Sequence, residues 1–325
     1  MSTKRLLLAR AALLLGLLLL MIDSSSAFSP VKGAAATEPT TSSSSLRESA
    51  ADNNIIRPVR KVAIIGAGIA GLSLAHALSQ SKAIEIDIDV FDSRSELDER
   101  IGSGIQLTGG MAALREISPQ LQRIVADSSL PFHRIVSRCR PWFGNTTSES
   151  WKLLEIDVQK AIRSNVEDLV TEDGEVLAYT ILRGTLQRIL HEELIKEHNT
   201  QVKFGKRLCG LSFSDSENGI SLHFTDGVCK GPYDLVVGCD GIKSIVKDFV
   251  NTGKTISSAN GAVTTKDSRS AIYSGIRITF AIQEGDEMDL QTTGAQFTQL
   301  FGNGAYALTS MYGAGKGKPP AKGAF

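Results

Sequence analysis

Gly66, Gly68 and Gly71, set in KVAIIGAGIAGLSLAHALS (residues 61–79), have the type and spacing to hold a phosphate. Lys61–Ile65 is a short apolar run suited to a strand covered on both faces. Gly66 then makes a tight turn, and Gly68 lets backbone N–H groups approach a pyrophosphate. Gly71 lets the next helix pack closely on the strand. That helix is expected to reach about Ser81, with Ile69, Leu72, Ala75 and Leu78 on its buried face. Its N-terminus supplies unpaired N–H groups and partial positive charge, both favourable to an anion.

The glycines alone do not select a ligand; their context narrows it. Ile84–Phe91 (IEIDIDVF) alternates apolar and acidic residues as a second strand and ends at Asp92, about 20 residues past the glycines. A carboxylate there accepts hydrogen bonds from adenosine ribose hydroxyls. It also repels a 2′-phosphate, which points to FAD or NAD rather than NADP. The stretch IGSGIQLTGGMAALREI (101–117) follows at once. It reads as a Gly-rich loop, a strand and a helix, in place of the regular αβ alternation of a simple NAD dehydrogenase.

Two later elements complete the frame. ILRGTLQRILHEEL (Ile181–Leu194) reads as an amphipathic helix with Arg183 at its start and Leu186, Ile189, Leu190 and Leu194 inward. YDLVVGCDGIKSIVKDFV (Tyr233–Val250) reads as a strand, a sharp Asp240-Gly241 turn and a helix. By residue type alone, Arg183 reads as a solvated helix-end charge; Asp240 is an ordinary turn residue or a cofactor contact, and the Val-Val run before it and the helix after it favour the second.

Together these segments resemble the class A FAD-dependent monooxygenases, which include aromatic-ring hydroxylases, salicylate hydroxylases and zeaxanthin epoxidases. The matches are Gly66/Gly68/Gly71, Asp92, the loop Gly102–Ile105 (GSGI), Arg183 to Leu186, and Asp234–Ser244 (DLVVGCDGIKS). They span about residues 60–250. The resemblance implies an α/β fold: a Rossmann-like FAD-binding domain of glutathione-reductase type with an inserted, mainly β substrate domain. It implies FAD as cofactor and NAD(P)H as transient reductant. One oxygen of O2 then enters a small aromatic or isoprenoid substrate through a flavin C4a-hydroperoxide. It places Gly104 and Arg183 against the flavin cofactor, and gives the Asp240-Gly241 turn to FAD and the transient reductant.

The resemblance divides residues 58–325 into FAD-binding parts at about 58–130 and 181–250, and substrate-sheet parts at about 131–180 and 270–312. SAIYSGIRITFAI (Ser270–Ile282) is expected as a strand with Ile276, Ile278 and Phe280 on a covered face. AQFTQLFGNGAYALTSMY (Ala295–Tyr312) is expected to give further strands. Tyr273, Arg277 and Tyr306 stand as substrate-cavity candidates or as plain strand-surface residues. GAGKGKPPAKGAF (313–325) reads as a flexible tail. The family's third motif, GDAAH, has no counterpart, since Gly285-Asp286 lies in an acidic stretch without Ala-Ala-His. A C-terminally truncated member is therefore expected. A related flavoprotein reductase without oxygen chemistry, and an inactive nucleotide-binding fragment, stay open as alternatives.

The rest of the sequence bounds the function. The 325 residues carry 35 basic and 35 acidic side chains, so no electrostatic case exists for nucleic acid. Lys4 and Arg5 precede an apolar run from Ala11 to Ile22 that ends at Ser25-Ser26-Ala27, the pattern of a signal peptide (1–27). Residues 28–57, rich in Ala, Ser and Thr, read as a transit peptide or disordered linker. The junction SSAFSP resembles two-part plastid presequences, which implies a plastid location; the secretory pathway or an uncleaved anchor is the alternative. No permanent membrane span is expected after cleavage, because the run is shorter than the roughly 20 residues a span takes. Four cysteines and five histidines lack metal-site spacing, so no metal is expected, and the thiols are read as buried or semi-buried. Catalytic side chains and oligomeric state are not readable.

Overall fold

A computed structural model describes residues 58–81, 85–99, 102–139, 150–165, 169–214, 219–253, 271–284, 296–302 and 306–324. The presequence readings and Gly285-Asp286 fall outside these residues. Val59–Phe325 form one compact unit.

The chain enters with β1 (Lys61–Ile65), α1 (Ile69–Ser79) and β2 (Asp87–Phe91). Ala63 and Ile64 are sealed on opposite faces of β1, as a strand with cover on both sides requires. On α1, Leu72 and Ala75 are buried, while Ile69 and Leu78 pack partly buried against the same core. Next come β3 (Gly104–Leu107), α2 (Gly109–Ile117), α3 (Pro119–Asp127) and β4 (Leu130–Pro131). Ser118 starts α3 by accepting the Leu121 N–H on its hydroxyl, and Pro119 occupies the first turn, where its missing N–H costs nothing.

Strands β5 (Arg134–Cys139) and β6 (Trp151–Asp157) form a hairpin followed by α4 (Val158–Asn165). Then β7 (Tyr179–Leu182) leads directly into α5 (Arg183–His198). Leu186, Ile189, Leu190 and Leu194 of α5 are buried against α1, as their spacing predicts. The chain continues as β8 (Val202–Lys203), β9 (Leu208–Ser214), β10 (Gly219–Phe224), β11 (Cys229–Tyr233), β12 (Leu235–Gly238) and α6 (Ile245–Thr252). Four strands close the described chain: β13 (Ala281–Glu284), β14 (Gln296–Phe301), β15 (Tyr306–Tyr312) and β16 (Ala321–Ala324).

These strands make four sheets. A parallel sheet of order β12-β1-β2-β8 is the Rossmann-like layer, and β9, β10 and β11 form an antiparallel sheet beside it. Six strands, β13-β16-β15-β14-β5-β6, make the separate mainly β part, and β3-β7-β4 is a small third layer. The fold is thus mixed α/β with a Rossmann-like sheet and distinct β sheets, as expected. No described helix is long and apolar enough to cross a membrane.

Three expectations are corrected. The expected tail is not loose over residues 313–324: β16 pairs antiparallel with both β13 and β15, and Gly313 exchanges backbone bonds with Thr180 and Leu182. Its small residues let β16 pass under the Tyr312 ring at Gly323, a tertiary fit that composition does not show. Of the strand expected over Ser270–Ile282, the described residues 271–282 become strand only at Ala281, and Ile276, Ile278 and Phe280 are exposed, because among the described residues no layer covers that face. Cys229 is exposed on β11, not buried, whereas Cys139, Cys209 and Cys239 are half-buried and all four are unpaired.

Candidate functional site

A cavity of about 360 Å³ opens at the carboxyl ends of β1, β2 and β12. Crevices outside strand C-termini are where open parallel sheets bind ligands. Its wall includes Gly66, Gly68, Asp92, Arg183, Asp240 and Gly241, six of the eight residues singled out in the sequence. The other two divide. Gly71 lies under the floor, and Gly104 is not among the lining residues.

The three motif glycines have separate jobs. Gly66 adopts φ +106°, and a Cβ there would run into the Cys239 carbonyl, so the turn stays tight only with glycine. The turn is tied on both sides: Gly66 N–H donates to Phe91 O at 2.7 Å, and Cys239 N–H to Ile65 O at 2.7 Å. A Cβ on Gly71 would overlap the Gly66 carbonyl, so this glycine serves the packing of α1 on the turn. At Gly68 a Cβ would meet nothing within 4 Å. That open space leaves room for an anion at the start of α1. Gly68 also caps α1, whose N-terminus has no side-chain cap and no acidic residue in its first turn.

Asp240 lines the same cavity, its backbone N beside the Gly66 turn. Its Oδ2 accepts the Ile245 N–H at 2.8 Å at the start of α6, whereas its Oδ1 is buried without a hydrogen-bond partner. A buried unpaired acceptor costs about 1–3 kcal/mol, which a donor on a ligand recovers. Beside it, burial pushes the Cys239 thiol up, and the charge of Asp240 adds to the shift.

Arg183 reaches the cavity from the first residue of α5. Its N–H donates to Ser103 O at 3.0 Å, and Gly102, at φ +108°, passes against its stem. The GSGI loop therefore positions Arg183. Gly104 itself is buried against the ring of Tyr312, where a Cβ would overlap ring atoms.

Asp92 departs from its expected role. Its Oδ1 accepts the Arg94 backbone N–H and Nε–H, each at 2.9 Å. Its Oδ2 accepts the Ala67 N–H at 2.8 Å and Arg94 Nη2–H at 2.9 Å. A carboxylate offers about four acceptor positions, so none is left for ribose hydroxyls. Burial pushes this carboxyl up, but the Arg94 and Ala67 hydrogen bonds outweigh it and hold it below the usual carboxylate range. The sequence reading missed Arg94, Lys206, Arg207 and Lys243, which also line the cavity. The two-residue offset of Asp92 and Arg94 is the one signal that pointed there. Among the described residues no cluster of three His, Cys, Asp or Glu could hold a metal ion.

The NAD(P)-binding Rossmann-like domain model matches residues 64–128. The 6-methylsalicylate 1-monooxygenase of Aspergillus terreus is 29% identical over 229 residues, covering 66% of this chain and 44% of that protein. A salicylate hydroxylase of Sarocladium schorii is 29% identical over 189 residues, covering 58% and 36%. The crystal structure of Klebsiella pneumoniae HpxO complexed with FAD and uric acid superposes at TM-score 0.56 with 21% identity, covering 82% of this chain and 56% of that one. The chain thus spans less than half of these curated relatives. It has the fold of FAD-binding hydroxylases, and its sequence relatives are FAD-dependent, salicylate-type monooxygenases.

Proposed function

We propose that this chain is the FAD-binding part of an NAD(P)H-using monooxygenase that acts on a small aromatic substrate. The observation that carries the reading is that one cavity is lined both by the open Gly68 position and by Asp240, whose Oδ1 has no partner. An adenine dinucleotide supplies what each lacks: a pyrophosphate for the N–H groups of α1, and a hydroxyl donor for Asp240. The residues present fit the group.

When bound, FAD supplies the oxygen chemistry, taking electrons from NAD(P)H and passing one atom of O2 to the substrate. The chain's own part is binding and orientation. Gly66 and Gly71 shape the turn, Gly68 admits the pyrophosphate, Asp240 accepts a ribose or ribityl hydroxyl, and Arg183 offers positive charge at the mouth. The test is spectroscopic and kinetic. Purified protein should be yellow or should quench added FAD, and should couple NAD(P)H oxidation to O2 uptake with salicylate-type phenols. Substrate reduction without O2 would overturn the monooxygenase assignment.

One observation favours a second reading, adenine-nucleotide binding without flavin chemistry. Tyr312 closes the face of Gly104 that the family resemblance gives to the flavin. FAD binding that quenches no flavin fluorescence, with an affinity equal to that for ADP, would select it.

A further inference from the structure

The turn between β1 and α1 is held from outside its own motif. Gly66 N–H donates to Phe91 O at 2.7 Å, and Ala67 N–H donates to Asp92 Oδ2 at 2.8 Å. The next N–H along, that of Gly68, has no partner among the described residues. Gly68 lines the cavity, whereas Ala67 is sealed from solvent.

The Ala67 carbonyl governs which way that N–H points. It accepts from Arg94 Nη2 at 3.2 Å and from Gln187 Nε2. Gln187 is buried on α5, 120 residues further along the chain. Its partner is a carbonyl, so the amide nitrogen and not the amide oxygen faces it. The Ala67–Gly68 peptide is trans, which sets its C=O and N–H on opposite sides. Two donors that pin the carbonyl on one side therefore turn the Gly68 N–H to the other. Donors on a peptide carbonyl also polarise the unit and strengthen its N–H.

Gln187 follows Arg183 by four residues, so the two share a face of α5. Arg183 lines the cavity; Gln187 is not among the lining residues. It reaches a ligand only through the peptide it holds. No local pattern in the sequence links it to the glycine turn.

We infer that Gln187 is a positioning residue of the phosphate turn: with Arg94 it clamps the Ala67 carbonyl and thereby presents the Gly68 N–H to the pyrophosphate of the cofactor. This rests on the cavity being the FAD site. One helix then sets two parts of that site, carrying Arg183 into the cavity and, one turn on, Gln187 onto the turn.

The test is calorimetric titration of the full chain with FAD and with ADP. Gln187→Met removes the donor at nearly unchanged length, and Arg94 still covers the Ala67 carbonyl. Its affinity for both ligands should fall about tenfold, the loss expected when one charge-assisted hydrogen bond is misaligned. In a Gly68→Ala background the same change should cost much less, because groups acting through one contact couple. A readout that needs no change at Gln187 is the Gly68 amide resonance of ¹⁵N-glycine-labelled wild-type protein, identified by its loss in Gly68→Ala. ADP should shift it. Wild-type affinity for FAD and ADP in Gln187→Met overturns the assignment of Gln187. So does a loss that persists in full in the Gly68→Ala background, or a Gly68 resonance that bound ADP leaves unmoved. Failure of the wild-type protein to bind either ligand overturns the nucleotide reading instead.

Discussion

The ring of Tyr312 lies flat enough on Gly104 that no side chain fits at residue 104. This contact joins the last residue of β15, an interior strand of the six-stranded sheet, to the loop that aims Arg183. The same ring is covered on another side by Gly323 of β16.

Gly104→Ala should destabilise the protein by about 1–3 kcal/mol, the usual cost of forcing a methyl into a packed interior. Thermal melting measures it. Because residues in contact couple, Gly104→Ala with Tyr312→Leu should cost less than the sum of the two single changes. Additive losses would place the Tyr312 ring elsewhere.

The glycines of the phosphate turn should behave oppositely. Gly66→Ala combines a strained positive φ with overlap on Cys239 O and should cost about 3 kcal/mol or more. Gly68→Ala meets open space and should leave the melting temperature of the free protein nearly unchanged. It should nevertheless weaken FAD binding about tenfold or more, since a methyl occupies the phosphate approach. Normal FAD affinity in folded Gly68→Ala would put the nucleotide elsewhere.

Asp240→Asn isolates the unpartnered oxygen. The amide oxygen can still accept the Ile245 N–H, but the N–H2 group takes the buried place of the unpaired oxygen, so stability should hold or fall by about 1–3 kcal/mol. FAD affinity should fall about tenfold, because a neutral amide replaces the charged acceptor of the hydroxyl's hydrogen bond. Titration by fluorescence quenching reads it.

Stability should also fall in mild acid through His76, which is buried with its Nε2 at 2.8 Å from Leu190 O. Burial pushes its pKa below the ordinary 6.5, the Leu190 carbonyl partly opposes this, and nearby His198 adds to the lowering. A folded-state pKa below the unfolded value means that the unfolded chain binds more protons there. The contribution is therefore full above 6.5 and is lost as pH falls through the lowered folded value. His76→Leu should flatten the fall in melting temperature between about pH 7.5 and about pH 5.5. An unchanged slope would assign the pH dependence to other groups.

The sequence made the β1–α1–β2 unit, the inward face of α5 and the Asp240-Gly241 turn legible, because each rests on local spacing. It did not reveal that Asp92 is saturated. That depends on Arg94 curling back two residues and on Ala67 pointing its N–H inward, which is geometry and not pattern. Strand β16 was hidden for a similar reason: AKGA has no strand signature, and it is a strand because β13 and β15 leave a slot that small residues fill. The apolar alternation at Ile276, Ile278 and Phe280 misled in the other direction, since alternation marks a strand only where another layer covers one face.

The central claim is that the cavity at the ends of β1, β2 and β12 holds an adenine dinucleotide with FAD chemistry. Titrating FAD into the purified full chain, with flavin fluorescence and visible absorbance recorded together, tests it most directly. The account predicts saturable one-to-one quenching with a shifted flavin spectrum, weakened in both Gly68→Ala and Asp240→Asn. Absence of saturable binding by folded wild-type protein, or binding that neither substitution weakens, would contradict it.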